Sequence, residues 1–147
     1  MTIKYLSYLL FAILLVSTSC GGDDDEVAGL TIDEYIAQNN LMTQVTASGL
    51  HYIIKEQGTA PNPTINSEIT INYNGYFLNG NSFDANNNIS FPLGNLIVGW
   101  QEGIQLIGTG GSIMLIIPSD LAYGPRGQGS IPPNTPIAFD IDLISFR

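Results

Sequence analysis

The spacing of apolar residues changes several times along the chain, and each change marks an element. Tyr5 to Val16 is an almost unbroken apolar run, too short to span a bilayer, which takes ~20 residues. Thr31-Ile32-Asp33-Glu34 is a capping-box pattern, and Ile32, Tyr35, Ile36 and Leu41 follow as one helical stripe. A helix of about eight to ten residues is marginal alone and must dock on something. From Gly49 the period becomes two. Leu50, Tyr52 and Ile54 alternate with His51, Ile53 and Lys55, as in a half-buried strand, which leaves His51 on the exposed side. Glu68 to Phe77 repeats the pattern, with Ile69, Ile71 and Tyr73 on one face. Asn79-Gly80 is a hairpin turn. Ala85 to Ile89 is expected to be a polar loop, and Phe91-Pro92-Leu93 a short strand. Ser112 to Ile117 and Ile137 to Phe146 are further strands. The first puts Ile113, Leu115 and Ile117 inward and leaves Met114 and Ile116 on an unusually apolar outer face. The second turns Phe139, Ile141 and Leu143 in, and Asp140 and Asp142 out.

Between these strands, Ile97 to Ile107 reads as a helix. Trp100, Gly103, Ile104 and Ile107 share a face, Gln101, Glu102 and Gln105 lie opposite, and Gly108 ends it. At ~1.5 Å per residue the helix is too short to stand alone and needs a sheet to lie against. Its one large aromatic, the only Trp of the chain, faces that sheet. Trp100 either packs as ordinary core or floors a small apolar cleft, and the helix by itself allows both.

Composition adds an export reading. The chain is 44% hydrophobic and 12% charged, which is ordinary for a globular domain. The apolar run after Lys4 ends in Ser17-Thr18-Ser19, directly before Cys20. This resembles a bacterial lipoprotein signal, in which the cysteine becomes the lipidated N-terminus. Residues 1–19 would then be removed, leaving 147 − 19 = 128 residues. Cys20 is the only cysteine, so no intrachain disulfide forms. The formal net charge is −9, or −10 without Lys4, which disfavours nucleic acid and anionic lipid as partners and leaves the acyl chains of Cys20 as the membrane anchor. Gly21 to Glu26 is a flexible, self-repelling tether within residues 20–30. It lacks the alternating spacing and turn glycine of a calcium loop. Residues 31–48 form a small helical adaptor, and 49–147 the main domain.

Several chemistries find no residues. His51 is the only histidine and has no nucleophile or ligand partner in the pattern, so neither a triad nor a metal site is expected. Gly108-Thr109-Gly110-Gly111 follows a helix and precedes a strand, the reverse of a phosphate loop. Asp140 and Asp142 alternate on a solvent face rather than forming a glycosidase pair. Ser119 to Ile131 is a long Gly- and Pro-rich loop of the kind that carries function.

One set of short motifs, in this order, resembles the FKBP-type peptidyl-prolyl cis-trans isomerases: Tyr73-Asn74-Gly75, Gly80, Phe83-Asp84, Gly99-Trp100-x-Glu102-Gly103, Ala122-Tyr123-Gly124, Ile131-Pro132-Pro133 and Phe139-Asp140. The resemblance runs from about Gly49 to Phe146. It implies an α+β fold, a strongly twisted antiparallel sheet wrapped over one short helix, preceded here by the signal segment and the small extra helix. It implies a site of Tyr73, Phe83, Asp84, Tyr123 and Phe139 as catalytic residues, with Phe91, Leu96, Ile97, Trp100 and Ile131 binding substrate. In this arrangement Trp100 floors the proline ring, Tyr123 hydroxyl and Ile97 N–H donate to substrate main chain, and Asp84 orients its neighbours. The implied activity is isomerisation of X-Pro bonds in exported proteins at the cell envelope, with proline-containing polypeptides as substrates and no cofactor. A module that only holds proline segments, as a chaperone or assembly factor, is the alternative. The chain departs from the family pattern in a short loop after Asp84, which lacks an Arg, and in a short Gly94 to Trp100 segment.

Overall fold

The computed structural model describes residues 29–147; the expected signal segment, Cys20 and nearly all of the tether lie outside the described residues. The described chain forms one six-stranded, wholly antiparallel sheet in the order β1-β2-β5-β6-β3-β4. The strands are β1 (Gln44–Val45), β2 (His51–Glu56), β3 (Glu68–Phe77), β4 (Ser82–Pro92), β5 (Ser112–Ile117) and β6 (Ile137–Phe146). The period-two stretches of the sequence are four of these strands. Their inward residues Leu50, Ile69, Ile71, Ile113, Leu115, Ile117, Ile141 and Leu143 form the main core.

Helix α2 (Val98–Ile104) lies on that inner face. Its stripe is buried as expected: Trp100, Gly103 and Ile104 on the helix, and Ile107 just beyond it. The helix is shorter than the stripe. Leu106 and Ile107 N–H groups bond three residues back, to Gly103 and Ile104, so the last turn tightens out of α geometry. The two glycines set how close the helix sits. A Cβ on Gly103 would fall 2.5 Å from Leu115 Cδ2, and one on Gly99 would fall 2.5 Å from Ile117 Cγ2. With both positions bare, the helix drops onto β5 and its Trp reaches the sheet floor.

The outer face explains the apolar Met114 and Ile116. Helix α1 (Ile32–Gln38), capped by Thr31 and Glu34 as the capping box requires, docks there. Tyr35 packs with Leu78, Met114, Ile116 and Ala138, and Ile32, Ile36, Leu41 and Ile53 surround them. The adaptor segment also supplies β1, which pairs with β2 through Gln44↔Tyr52 and Val45↔His51. His51 is half-buried rather than exposed, with Nδ1 3.2 Å from Thr43 Oγ1. The β1 segment brings that threonine over a position that would otherwise face solvent.

Residues 85–89 are strand, not loop. β4 runs unbroken from Ser82 to Pro92 along β3, with register shifts at Ile71/Tyr73 and Gly75/Tyr76 and positive φ at Asn88. The Asn-rich composition signals a turn, but an edge strand exposed on one side tolerates asparagines and a bulge where a central strand would not. Pairing to β3 outweighs local preference.

Candidate active site

Between α2, the end of β4 and the loop after β5 the inner face opens into a cleft of about 160 Å³. It is lined by Tyr73, Asp84, Phe91, Leu96, Ile97, Trp100, Tyr123 and Phe139. These come from five separated segments: β3, β4, the start of α2, the loop after β5, and β6. Sheet register brings them together: Leu115 opposes Phe139, Phe139 opposes Gly75, and Gly75 opposes Asp84. One row across the sheet thus runs from the buried core to an exposed carboxylate, with a bare position in the middle.

Gly75 is that bare position. A Cβ there would collide with the rings of both Phe139 and Phe83. Without one, the Phe139 ring lies in the cleft wall, edge-on to Trp100 at 4.9 Å and 87°. Tyr73 is edge-on to Trp100 at 5.2 Å and 74°, and tilted to Phe139 at 6.2 Å. Trp100 therefore presents its face between two aromatic walls. Edge-to-face pairs of this kind are worth ~0.5–1.5 kcal/mol each beyond burial, so the walls are stiff.

The polar groups are few. Tyr73 hydroxyl donates to Asp84 Oδ2 at 2.7 Å. Burial, then the hydrogen bond and charge of Asp84, push the Tyr73 hydroxyl up to about 12. Burial, then the Asp84 charge, also raises the Tyr123 hydroxyl. Both phenols are therefore neutral donors at physiological pH. Tyr123 hydroxyl and Ile97 N–H form no hydrogen bond among the described residues, so both are free to donate to a ligand. Ile97 is the N-cap residue of α2 with no side-chain cap. Beneath them, Trp100 Nε1 is buried and has no partner among the described residues, a penalty of ~1–3 kcal/mol that an ordinary core position would avoid.

The wall carrying Leu96 and Ile97 is held by Gln101. Its Nε2 donates to Leu96 O at 2.7 Å and to Gly94 O at 3.2 Å. From sequence Gln101 is merely a solvent-side helix position. Its reach back over the helix start depends on a loop conformation that no spacing encodes.

Of the ten residues the resemblance assigns to the site within the described chain, the structure brings eight to the cleft surface. Phe83 lies behind it, 5.5 Å from Phe139 and 5.0 Å from Phe77, as a support for the wall. Ile131 is buried in the same core cluster as Trp100 and is not among the lining residues. His51 is on the far face of the sheet. Among the described residues no group of three His, Cys, Asp or Glu side chains lies close enough together to hold a metal.

Comparison with known proteins agrees with the fold. A family model described as FKBP-type peptidyl-prolyl cis-trans isomerase matches residues 60–144. The chain is similar to the FKBP-type peptidyl-prolyl cis-trans isomerase FkpA of Aeromonas hydrophila, at 37% identity over 121 residues, covering 78% of this chain and 45% of the relative. The crystal structure of FkpA from Escherichia coli superposes with a TM-score of 0.74 at 34% identity, covering 78% of this chain and 57% of that one. A peptidyl-prolyl cis-trans isomerase from Pseudomonas syringae gives 0.69 at 34% identity, covering 76% and 87%. The chain spans about half the length of the curated relatives it matches.

Proposed function

The chain belongs to the FKBP-type peptidyl-prolyl cis-trans isomerase family, and from that premise we propose that its cleft accelerates cis-trans isomerisation of X-Pro bonds in polypeptides. The observation that carries the reading is an aromatic floor, Trp100 between Tyr73 and Phe139, with two unspent donors, Tyr123 hydroxyl and Ile97 N–H, at its edge.

The chemistry follows from the amide. Partial double-bond character raises a barrier of ~20 kcal/mol, slow enough to limit folding. Resonance places negative charge on the carbonyl oxygen, and water stabilises that planar form. A proline ring on Trp100 carries its preceding carbonyl out of water and against aromatic edges. The planar form loses solvation, while the twisted, less polar amide loses little. Donors at Tyr123 and Ile97 hold the substrate backbone in a turn. Tyr73 and Asp84 fix each other and the wall. No step transfers a proton to or from the protein.

Exchange measurements by NMR on a short X-Pro peptide test this directly. Asp84→Val and Phe83→Ala are each expected to lower kcat/KM by about tenfold, the first with modest loss of stability because Asp84 is exposed. Unchanged kcat/KM in both would sink the site assignment. Binding without any acceleration would instead favour a module that only holds proline segments.

The domain division and the anchor belong to the same proposal. Residues 49–147 carry the isomerase unit and 31–48 join it to the tether of residues 20–30. Cys20 lipidation, supported by the small residues before it and the apolar run behind them, would fix the chain to the cell envelope, in the outer membrane. Cys20→Ala should then shift the protein from membrane to soluble fractions; a variant still in membranes refutes the anchor.

A further inference from the structure

The cleft has one acidic lining residue, Asp84, and no Lys, Arg or His lines it. That carboxylate is exposed and only half used. Oδ2 accepts from Tyr73 at 2.7 Å, and Oδ1 accepts no hydrogen bond among the described residues. Among the described residues no cation pairs with it. Of the three basic residues in the described chain, Lys55 pairs with Asp140 and Arg147 with Glu68, while Arg126, in the exposed turn Gly124–Arg126, forms no ion pair with Asp84. The Asp84 charge reaches both sides of the cleft, since it adds to burial in raising the Tyr73 and Tyr123 hydroxyls. Apolar walls beside a single uncompensated charge focus its field into the opening. A peptide whose proline ring rests on Trp100 carries the neighbouring side chains out past the rim, where Asp84 stands.

We propose that Asp84 makes the cleft selective for prolines flanked by lysine or arginine and against prolines flanked by aspartate or glutamate. The proposal rests on the reading of the cleft as a proline site and names the substrate class that site prefers. A net charge of −9 over the whole chain acts in the same direction at longer range. For opposite charges about 6 Å apart in a nearly aqueous rim, attraction gives about threefold in affinity, and repulsion a similar loss, so lysine and glutamate peptides should differ by on the order of tenfold at low salt.

The test uses Trp100 fluorescence, which reports on the cleft alone because the chain has no other Trp. Blocked tetrapeptides Ala-Xaa-Pro-Phe and Ala-Leu-Pro-Xaa, with Xaa lysine, leucine or glutamate, are titrated at about 20 mM and about 500 mM NaCl, and the same peptides are followed for turnover by NMR exchange. The expected order in at least one series is lysine tightest, leucine between, glutamate weakest. The spread should shrink to within about twofold at high salt and in Asp84→Asn. Equal binding of all three in both series overturns the inference, as does a preference that survives both high salt and Asp84→Asn. Should Asp84→Asn not fold, the salt dependence of the native chain decides. Turnover of the leucine peptide with no charge ranking leaves the isomerase reading standing and removes this one. A charge ranking in binding with no turnover of any peptide does the reverse. Failure of every peptide to bind overturns both.

Discussion

Gln101 Nε2 lies 2.7 Å from the carbonyl oxygen of Leu96, so a residue of the helix holds the loop that leads into that helix. Leu96 and the adjacent Ile97 line the cleft. The helix is itself locked to the sheet by Gly99 and Gly103 against Ile117 and Leu115. Position passes from sheet to helix, and from helix to cleft wall, through one side-chain amide.

Removing that amide should loosen the wall without unfolding the domain. Gln101→Ala is expected to lower kcat/KM for an X-Pro peptide by about three- to tenfold, the equivalent of one hydrogen bond worth ~0.5–1.5 kcal/mol. Gln101→Glu should do the same, because a carboxylate cannot donate to the Leu96 carbonyl. Wild-type kcat/KM in both variants would show that the wall keeps its place without Gln101.

Gly75→Ala tests the crowding under the aromatic wall. The added methyl meets the Phe139 and Phe83 rings, and overpacking of this kind costs ~1–3 kcal/mol. A lower denaturant midpoint at constant m should be accompanied by a lower kcat/KM, since Phe139 must turn out of the wall. A stable variant with normal kinetics would mean that the rings move aside freely.

The pH response separates mechanism from stability. Catalysis without proton transfer predicts nearly constant kcat/KM from about pH 6 to 8, and His51→Gln, on the opposite face of the sheet, should leave it unchanged. A titration near neutrality that vanishes in His51→Gln would overturn the mechanism. Stability, by contrast, should fall at high pH. The Tyr73 hydroxyl is pushed up to about 12 in the folded chain, against ~10 when unfolded. Its neutral form is thus favoured by folding, a contribution complete below about pH 10 and lost as pH rises from about 10 through about 12. Burial and the charge of Asp140 raise Tyr76 as well. Tyr73→Phe should therefore reduce the alkaline loss seen by chemical denaturation rather than abolish it. A loss identical to wild type would count against the shift.

Helix α1 is expected to matter for stability and little for the site. Tyr35→Ala should cost about 3 kcal/mol by uncovering Met114 and Ile116, while Thr31→Ala should cost about 1 kcal/mol through the lost cap. Both should leave kcat/KM within about twofold where the protein is folded, because Tyr35 packs in a cluster that has no residue in common with the one holding Trp100 and Phe139. A parallel collapse of activity in folded Thr31→Ala would reveal coupling through the sheet.

Much of this was legible in the residues. Period two at Leu50, Ile69, Ile113 and Ile141 identified strands and their inner face, because alternation is a property of the extended backbone itself. The stripe through Trp100 identified the helix, and Thr31 with Glu34 its smaller neighbour, because capping and helical spacing act within a few residues. The scattered motifs named the residues that line the cleft. Other features needed the tertiary structure. Residues 85–89 became strand because β3 supplied a pairing edge, against their own turn preference. Met114 and Ile116 looked misplaced until α1 covered them. Phe83 and Ile131 took places behind the cleft surface, and Gln101 acquired its role as a clamp, through contacts between residues whose side-chain directions depend on loop conformation. Composition and spacing set which face of each element is apolar, because those forces are local. Which faces meet, and how closely, was decided by register and by the bare positions Gly75, Gly99 and Gly103, where a single missing methyl lets one layer rest on the next.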